Sequence, residues 1–561
     1  PRAAASRCSP RRRARRRVRA SSSPLSCGSA CSTRGGTRAA SAAYSFVGLA
    51  APGVASAQNL PKGGTIRMGM RVLDVSNAHA IAFEEAGSGA IRPVIDYLVR
   101  TGQDNITRPW LLKSWEASDD LRTWTLRIRE GVKWHNGRLF TAEDVAWNLN
   151  HVLTPEVGSS VVGLMGGYML SEVDTGEKDS DGNAVMRSEL WDANAIEVVD
   201  SSTVQLNLKN SQGAVPEHLF HFPLYMLDPE EGGVYGVGSN GTGAYTLVEH
   251  VIGERAVLER VTDQHFMGQG PYLDRIEITD LGEDPNAAIG ALLTDQVDGV
   301  YEISENQAPM ISSNDNIQIY RQTTAATAVV RGKMNQPPFD NPKVMEALRY
   351  ASNGENIISR GMRGNAAPGD HTHVSPIHPE WSDLGAFPFD PEKAKSILAE
   401  AGYPDGIDLE INVKTQPSWE LDVVQVMVED WAKAGINVKI QTLPASVFWD
   451  RWTEYPFSFT AWGHRPLGMM VLSLAYRTGA PWNESSFSDA EFDNLLLDIG
   501  ATIDSEERKL VMSKLMKIMR ERGPIVQPFF MQVATAYNKR VKGMSMHPTK
   551  YIFFDSMAIE A

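Results

Sequence analysis

The amino-acid sequence predicts an α/β protein of two lobes. Three observations predict it. The chain has 561 residues, too long for one ordinary core and enough for roughly two to four domains of ~100–200 residues. Strand and helix patterns alternate throughout after Gln58, and in one stretch they follow the spacing of a parallel strand–helix–strand unit. No internal repeat and no long low-complexity linker interrupts them. The lobes are therefore expected to be a hinged pair, with the chain crossing between them more than once.

In chain order, Thr123 to Arg129 alternates, with Trp124, Leu126 and Ile128 on one face of a strand. Val132 and Trp134 are expected to continue as a strand into a hairpin turn at Asn136-Gly137. Thr141 starts a helix with Asp144 in capping-box position, and Val145, Leu149 and Val152 form its buried stripe. Asn341-Pro342 opens a helix through Leu348. Asp390-Pro391 opens another, with Ile397, Leu398 and Ala401 on one face and Gly402 as its stop. Ile407 to Val413 alternates as a strand, Leu421 to Ala434 is helical, and Ile436 to Leu443 is a strand again. Glu491 to Leu497 and Ser505 to Arg522 read as further amphipathic helices.

The first 57 residues differ from the rest. They hold eleven Arg, no Lys and no acidic residue, and all three cysteines, Cys8, Cys27 and Cys31. Ser41 to Ala57 is small and apolar and ends in Ala55-Ser56-Ala57, a cleavage signal behind an apolar run. A membrane span is disfavoured by the shortness of that run and by Pro52. Residues 1–57 are thus expected to be a signal or precursor segment, cleaved near Ala57 or misdefined. The remainder carries 43 basic against 68 acidic residues. So acidic a body argues against nucleic-acid binding. Its lack of cysteine excludes disulfides, thiol catalysis and a cysteine-ligated zinc site there.

Three motifs invite a chemical reading and none holds it. Gly236 to Gly241 matches GxGxxG, but the following Ala244 to Val248 reads as a strand, whereas a phosphate cradle needs a helix. Asp179 to Asn183 begins like a calcium loop, yet Ala184 and Leu190 replace the glycine and the glutamate it requires. His371, His373 and His378 cluster near Asp370, and two imidazoles in a His-x-His can bind metal from a strand. The surrounding Pro368, Gly369, Pro376 and Pro379 make a loop the expected outcome. No HExxH or GxSxG occurs. Neither catalysis, a metal nor a cofactor is expected.

Residues 111–153, LLKSWEASDDLRTWTLRIREGVKWHNGRLFTAEDVAWNLNHVL, closely resemble the signature block of the family 5 extracellular solute-binding proteins. Gly241 to Tyr245 (GTGAY) resembles that family's GTGPY loop. Asn335 to Leu348, Phe389 to Gly402 and Trp431 to Val438 resemble later blocks in the same order. The resemblance covers roughly residues 60–555. It implies a large class II periplasmic-binding-protein fold with a ligand cleft between lobes. Lobe one would span 58–305 with an extra subdomain at about 99–228, and lobe two 306–535. Residues 536–561 would return to lobe one. It further implies a periplasmic monomer that captures a peptide-like solute by lobe closure and delivers it to an ABC permease and ATPase. The same fold could instead take an opine-like, sugar-containing or metal-chelate solute, or act as a sensor or chaperone.

One departure bears on the ligand. Dipeptide- and oligopeptide-binding members of the family use an Asp in a W-x-GDxxDPD-like segment to pair with the peptide's amino terminus. Here the stretch is Ala461 to Met469, AWGHRPLGM, without an acid and with Arg465 instead. A cation repels an ammonium group, so an anionic or hydroxyl-rich part of the ligand is expected at His464 or Arg465. Glu84 and Glu85, in an early loop, could take an ammonium in their stead. Lys414 and Gln416 lie where dipeptide-type relatives bind the carboxylate. Trp462 and Trp419 are the aromatic candidates for stacking. Gly463, Gly243 and Ala244 complete the expected ligand-binding set.

Overall fold

The computed structural model describes residues 60–560, apart from 82–86, 179–183, 263, 264, 268, 269, 283, 305, 306, 481 and 503. The expected precursor segment, the calcium-like loop, and Glu84 and Glu85 lie outside the described residues.

Two sheets organise the chain. The larger has eight strands and runs in the order Tyr245–Val251, Arg255–Arg260, Arg275–Thr279, Thr65–Gly69, Gly299–Val300, Phe529–Asn538, Ile317–Thr323, with Ala366–Pro368 also pairing on Phe529–Asn538. The smaller has five: Ile436–Leu443, Ile407–Lys414, Phe457–Trp462, Thr327–Gly332 and Ile525–Val526. Ile407–Lys414 and Ile436–Leu443 pair in parallel, Ile407 opposite Ile436, with the helix Trp419–Ala432 between them in sequence. This is the strand–helix–strand unit that the alternation predicted; its helix begins two residues earlier than expected.

The chain passes straight from one sheet to the other in two short connections, between Thr323 and Thr327 and again between Val526 and Phe529. Ile317–Thr323 still pairs with the larger sheet, although it lies beyond residue 305, where the sequence placed the end of the first lobe. Phe529–Asn538 likewise belongs to the larger sheet along its whole length. These adjacent crossings make a double-stranded connection, the geometry of a hinge.

A four-stranded sheet of Leu112–Ala117, Thr123–Ile128, Thr203–Asn207 and Ile196–Asp200 falls within the expected subdomain. Trp124, Leu126 and Ile128 are buried as their alternation demands, and so are Val145, Leu149 and Val152 on the helix Ala142–Leu153. That helix carries the reciprocal capping box, Asp144 accepting from the Thr141 amide at 2.9 Å. The hairpin at Asn136-Gly137 turns with Gly137 at φ 89°, but its pairing shrinks to one bridge, Lys133 to Leu139. Asp144 explains why. It accepts from the Trp134 indole at 3.1 Å and from Arg138 at 2.8 Å, tying the turn to the helix instead of to a sheet.

Candidate functional site

A cleft of about 1320 Å³ separates the segments of the larger sheet from those of the smaller. Asn105, Glu217, His221, Glu302, His547 and Lys550 line it from one side. Lys414, Gln416, Trp419, Trp462, Arg465 and Trp482 line it from the other.

The second wall grows out of the strand Phe457–Trp462, whose end delivers Trp462 to the cleft. Trp462 is anchored from behind: its indole donates to Glu484 Oε1 at 3.0 Å. Glu484 also accepts from Thr460 Oγ1 at 2.7 Å and pairs with Arg331 at 2.9 Å, both charges being wholly buried. Trp452 and Trp482 meet Trp462 edge-on at 6.0 and 6.1 Å, and Trp449 meets Trp452 at 5.8 Å. Trp449, Trp462 and Trp482 all face the cleft, forming an aromatic wall suited to a planar ring or an apolar side chain.

The loop after Trp462 is held through its backbone. His378 Nδ1 accepts from the Ser375 amide at 3.1 Å, so its Nε2 carries the proton and donates to the Arg465 carbonyl at 2.9 Å. His464 Nδ1 accepts from the Ala325 amide at 3.0 Å, leaving Nε2 to donate to Asn105 Oδ1 at 3.2 Å. Burial keeps both rings neutral, His378 pushed down to about 4 and His464 well below its ordinary value. Asn105 also donates to the Ile377 carbonyl at 3.1 Å. One side chain of the first wall thus makes two hydrogen bonds across to the second.

Arg465 Nη1 donates to the His464 carbonyl at 2.9 Å. Among the described residues no carboxylate lies within 4.0 Å of its guanidinium. Burial lowers its pKa, and only Tyr551 opposes that. Two other cations of the cleft differ. Lys414 sits 2.8 Å from Glu420, both buried, and Lys550 sits 2.8 Å from Glu302. Burial raises Glu420 to about 7 despite that lysine. Lys414 therefore reaches the cleft beside a buried acid that the sequence reading missed. On the first wall, burial raises Glu217 to about 7, and its Oε2 has no hydrogen-bond partner.

Of the expected site residues, Lys414, Gln416, Trp419, Trp462, Gly463, His464 and Arg465 come together on the cleft. Gly243 and Ala244 do not. They line a far smaller pocket within the first wall's own body, beside the Asp96–His265 and Arg100–Asp555 pairs. The Gly243 amide donates to the Val94 carbonyl at 2.9 Å, and a Cβ on Gly243 would collide with the Pro93 and Val94 carbonyls. Close backbone approach, not ligand contact, requires glycine there. The histidine loop also has a structural use. His371 Nδ1 accepts from the Gln527 amide at 2.9 Å, and His373 Nδ1 meets the Tyr476 hydroxyl at 2.6 Å. Among the described residues no group of His, Cys, Asp and Glu is arranged to hold a metal ion.

Known proteins share this sequence and architecture. The family model described as bacterial extracellular solute-binding proteins, family 5, matches residues 107–484. The glutathione-binding protein GsiB of Salmonella typhi is 25% identical over 469 residues, covering 79% of this chain and 85% of that protein. HbpA2 from Haemophilus parasuis superposes with a TM-score of 0.74 at 18% identity, over 89% of this chain and all (100%) of that one. AgaA from A. tumefaciens R10, solved with agropinic acid, gives 0.69 at 23% identity, over 89% and 99%.

Proposed function

The chain belongs to the family 5 bacterial extracellular solute-binding proteins, and from that premise we propose that it captures a peptide-like solute outside the cytoplasmic membrane and hands it to an ABC permease. The observation that carries the reading is the cleft itself. It is large, it lies between bodies joined by two adjacent strand crossings, and Asn105 spans it. A solute that touches both walls favours the closed form by whatever it binds more tightly there, and closure is the state a permease can distinguish.

The chemistry of the walls supports a guest with both polar and apolar parts. Peptide groups are costly to bury unpaired, and Asn105, Gln416, Glu217 and the backbone of residues 463–466 offer donors and acceptors. The tryptophans take side chains or rings. We assign the protein no reaction; the solute leaves unaltered. No helix among the described residues is long and apolar enough to cross a membrane.

An opine-like solute is the second reading, and Arg465 favours it: this cation stands where peptide-binding relatives place an acid for the amino terminus. Thermal melts against tri- and tetrapeptides, glutathione and opines discriminate the two. A ligand at a hundred times its Kd stabilises by about 2.7 kcal/mol, and small-angle scattering should show compaction with it. A protein that neither gains stability nor compacts with any of these compounds would overturn the reading.

A further inference from the structure

We propose that Arg465 is the anion pole of the cleft: it takes a carboxylate of the solute while the tryptophan wall takes an adjoining ring or apolar side chain. This rests on the solute-binding reading and adds the chemical class of the guest.

A guanidinium has five N–H donors in a fixed fork. Arg465 uses one, to the carbonyl of its own neighbour. The ring nitrogens around it belong to neutral histidines. His464 and His378 are held neutral by the bonds described above, and His221 shares Ser160 Oγ at 2.8 Å. No carboxylate among the described residues neutralises it. By contrast, two other cations of the cleft have acids beside them: Lys414 has Glu420 and Lys550 has Glu302. With the cleft wet, water satisfies the remaining Arg465 donors. When a guest displaces that water, a guanidinium left without an anion is strongly disfavoured. A carboxylate matches its fork with two parallel hydrogen bonds.

The geometry leaves room for it. The Arg465 side chain folds back over the loop, so a Cβ on Gly463 would stand 3.4 Å from Nη1. Arg465 lines the cleft together with Trp462. His378 fixes the Arg465 carbonyl and Glu484 fixes the Trp462 indole, and both side chains line the same cleft. A guest that engages both brings an anion and a ring or apolar side chain, which makes a free carboxylate beside an aromatic residue the fitting class.

The test uses the purified protein and N-acetylated di- and tripeptides ending in Phe or Trp, each as free acid and as C-terminal amide, by titration calorimetry. The free acids should bind at least tenfold more tightly than the amides. Arg465→Met should abolish that preference, and Arg465→Lys should keep part of it, because it retains charge but not the fork. Melting curves establish that both variants fold. Acid and amide binding alike, or Arg465→Met preserving the ratio, would overturn the anion pole and leave solute capture standing. If the acids, the amides and the peptides and opines of the previous test all fail to bind, both proposals fall together.

Discussion

Replacing Glu484 with alanine tests whether the cleft wall is built as described. Glu484 is 2% exposed and Arg331 is fully buried beside it. The substitution deletes three hydrogen bonds to one carboxylate: from Arg331, Thr460 and Trp462. Bonds to charged groups are worth roughly 1.5–3 kcal/mol each, but they do not add here, because Arg331 keeps the Trp452 and Tyr455 carbonyls. Deleting one member of a buried ion pair costs roughly 3–5 kcal/mol. We therefore expect Glu484→Ala to lose about 4 kcal/mol, roughly a thousandfold in the folding equilibrium. Urea unfolding followed by circular dichroism and tryptophan fluorescence measures it. The double variant Arg331→Met, Glu484→Ala should lose less than the sum of the singles by more than about 1.5 kcal/mol, since it leaves no orphaned charge. A loss under about 1 kcal/mol, or strict additivity, would refute a wall anchored on that pair.

Three other substitutions probe separate features. Asn105→Gly removes both cross-cleft hydrogen bonds without strain, because Asn105 has φ 56°; solute affinity should fall by roughly 5- to 150-fold, and the unliganded protein should be more open by small-angle scattering. Glu217 has a folded-state pKa raised from 4.5 to about 7, so the unfolded chain ionises first and stability is lost as pH rises from 4.5 through 7. Glu217→Gln should remove that loss, worth about 2–3 kcal/mol once partial exposure is allowed for; equal melting-temperature differences from wild type at pH 5 and pH 7.5 would count against it. Gly243→Ala should destabilise by roughly 1–3 kcal/mol through its clash with residues 93 and 94, yet leave affinity unchanged, and a selective loss of affinity would restore Gly243 to the ligand site.

Periodicity made the elements legible because each is a local fact. The alternation of Thr123 to Arg129, the capping box at Thr141 and each element of the strand–helix–strand unit at 407–443 are visible within a short contiguous stretch of sequence. The hairpin at Val132 to Phe140 misled because Arg138 is tied to Asp144 on the next helix and to the distant Asp228 rather than to a neighbouring strand. The cleft was legible only in part for the same reason. The loop of residues 461–465 announced itself by resemblance. Asn105, Glu217 and Lys550 carry no local signature; they meet only because three segments far apart in sequence end at one crevice. The sequence reading gave Lys414 no partner. Its partner Glu420 stands in the helix Trp419–Ala432, and the pairing is a contact of the folded chain.

The loop at 463–467 explains how one scaffold can take different guests. Its shape depends on groups that any sequence supplies: the Ala325 amide, the Arg465 carbonyl and the Met469 amide, which bond to His464, His378 and Glu380 respectively. Gly468 lets the following helix start close against Val374 and His378, where a Cβ would stand 2.8 and 3.2 Å away. None of these contacts involves the Arg465 guanidinium. Beyond its one hydrogen bond to the His464 carbonyl, the side chain at 465 holds none of the loop, so a change of charge there alters what the cleft prefers while these contacts stay in place. That separation is why the resemblance located the site while the chemistry of the guest had to be read from the residue itself.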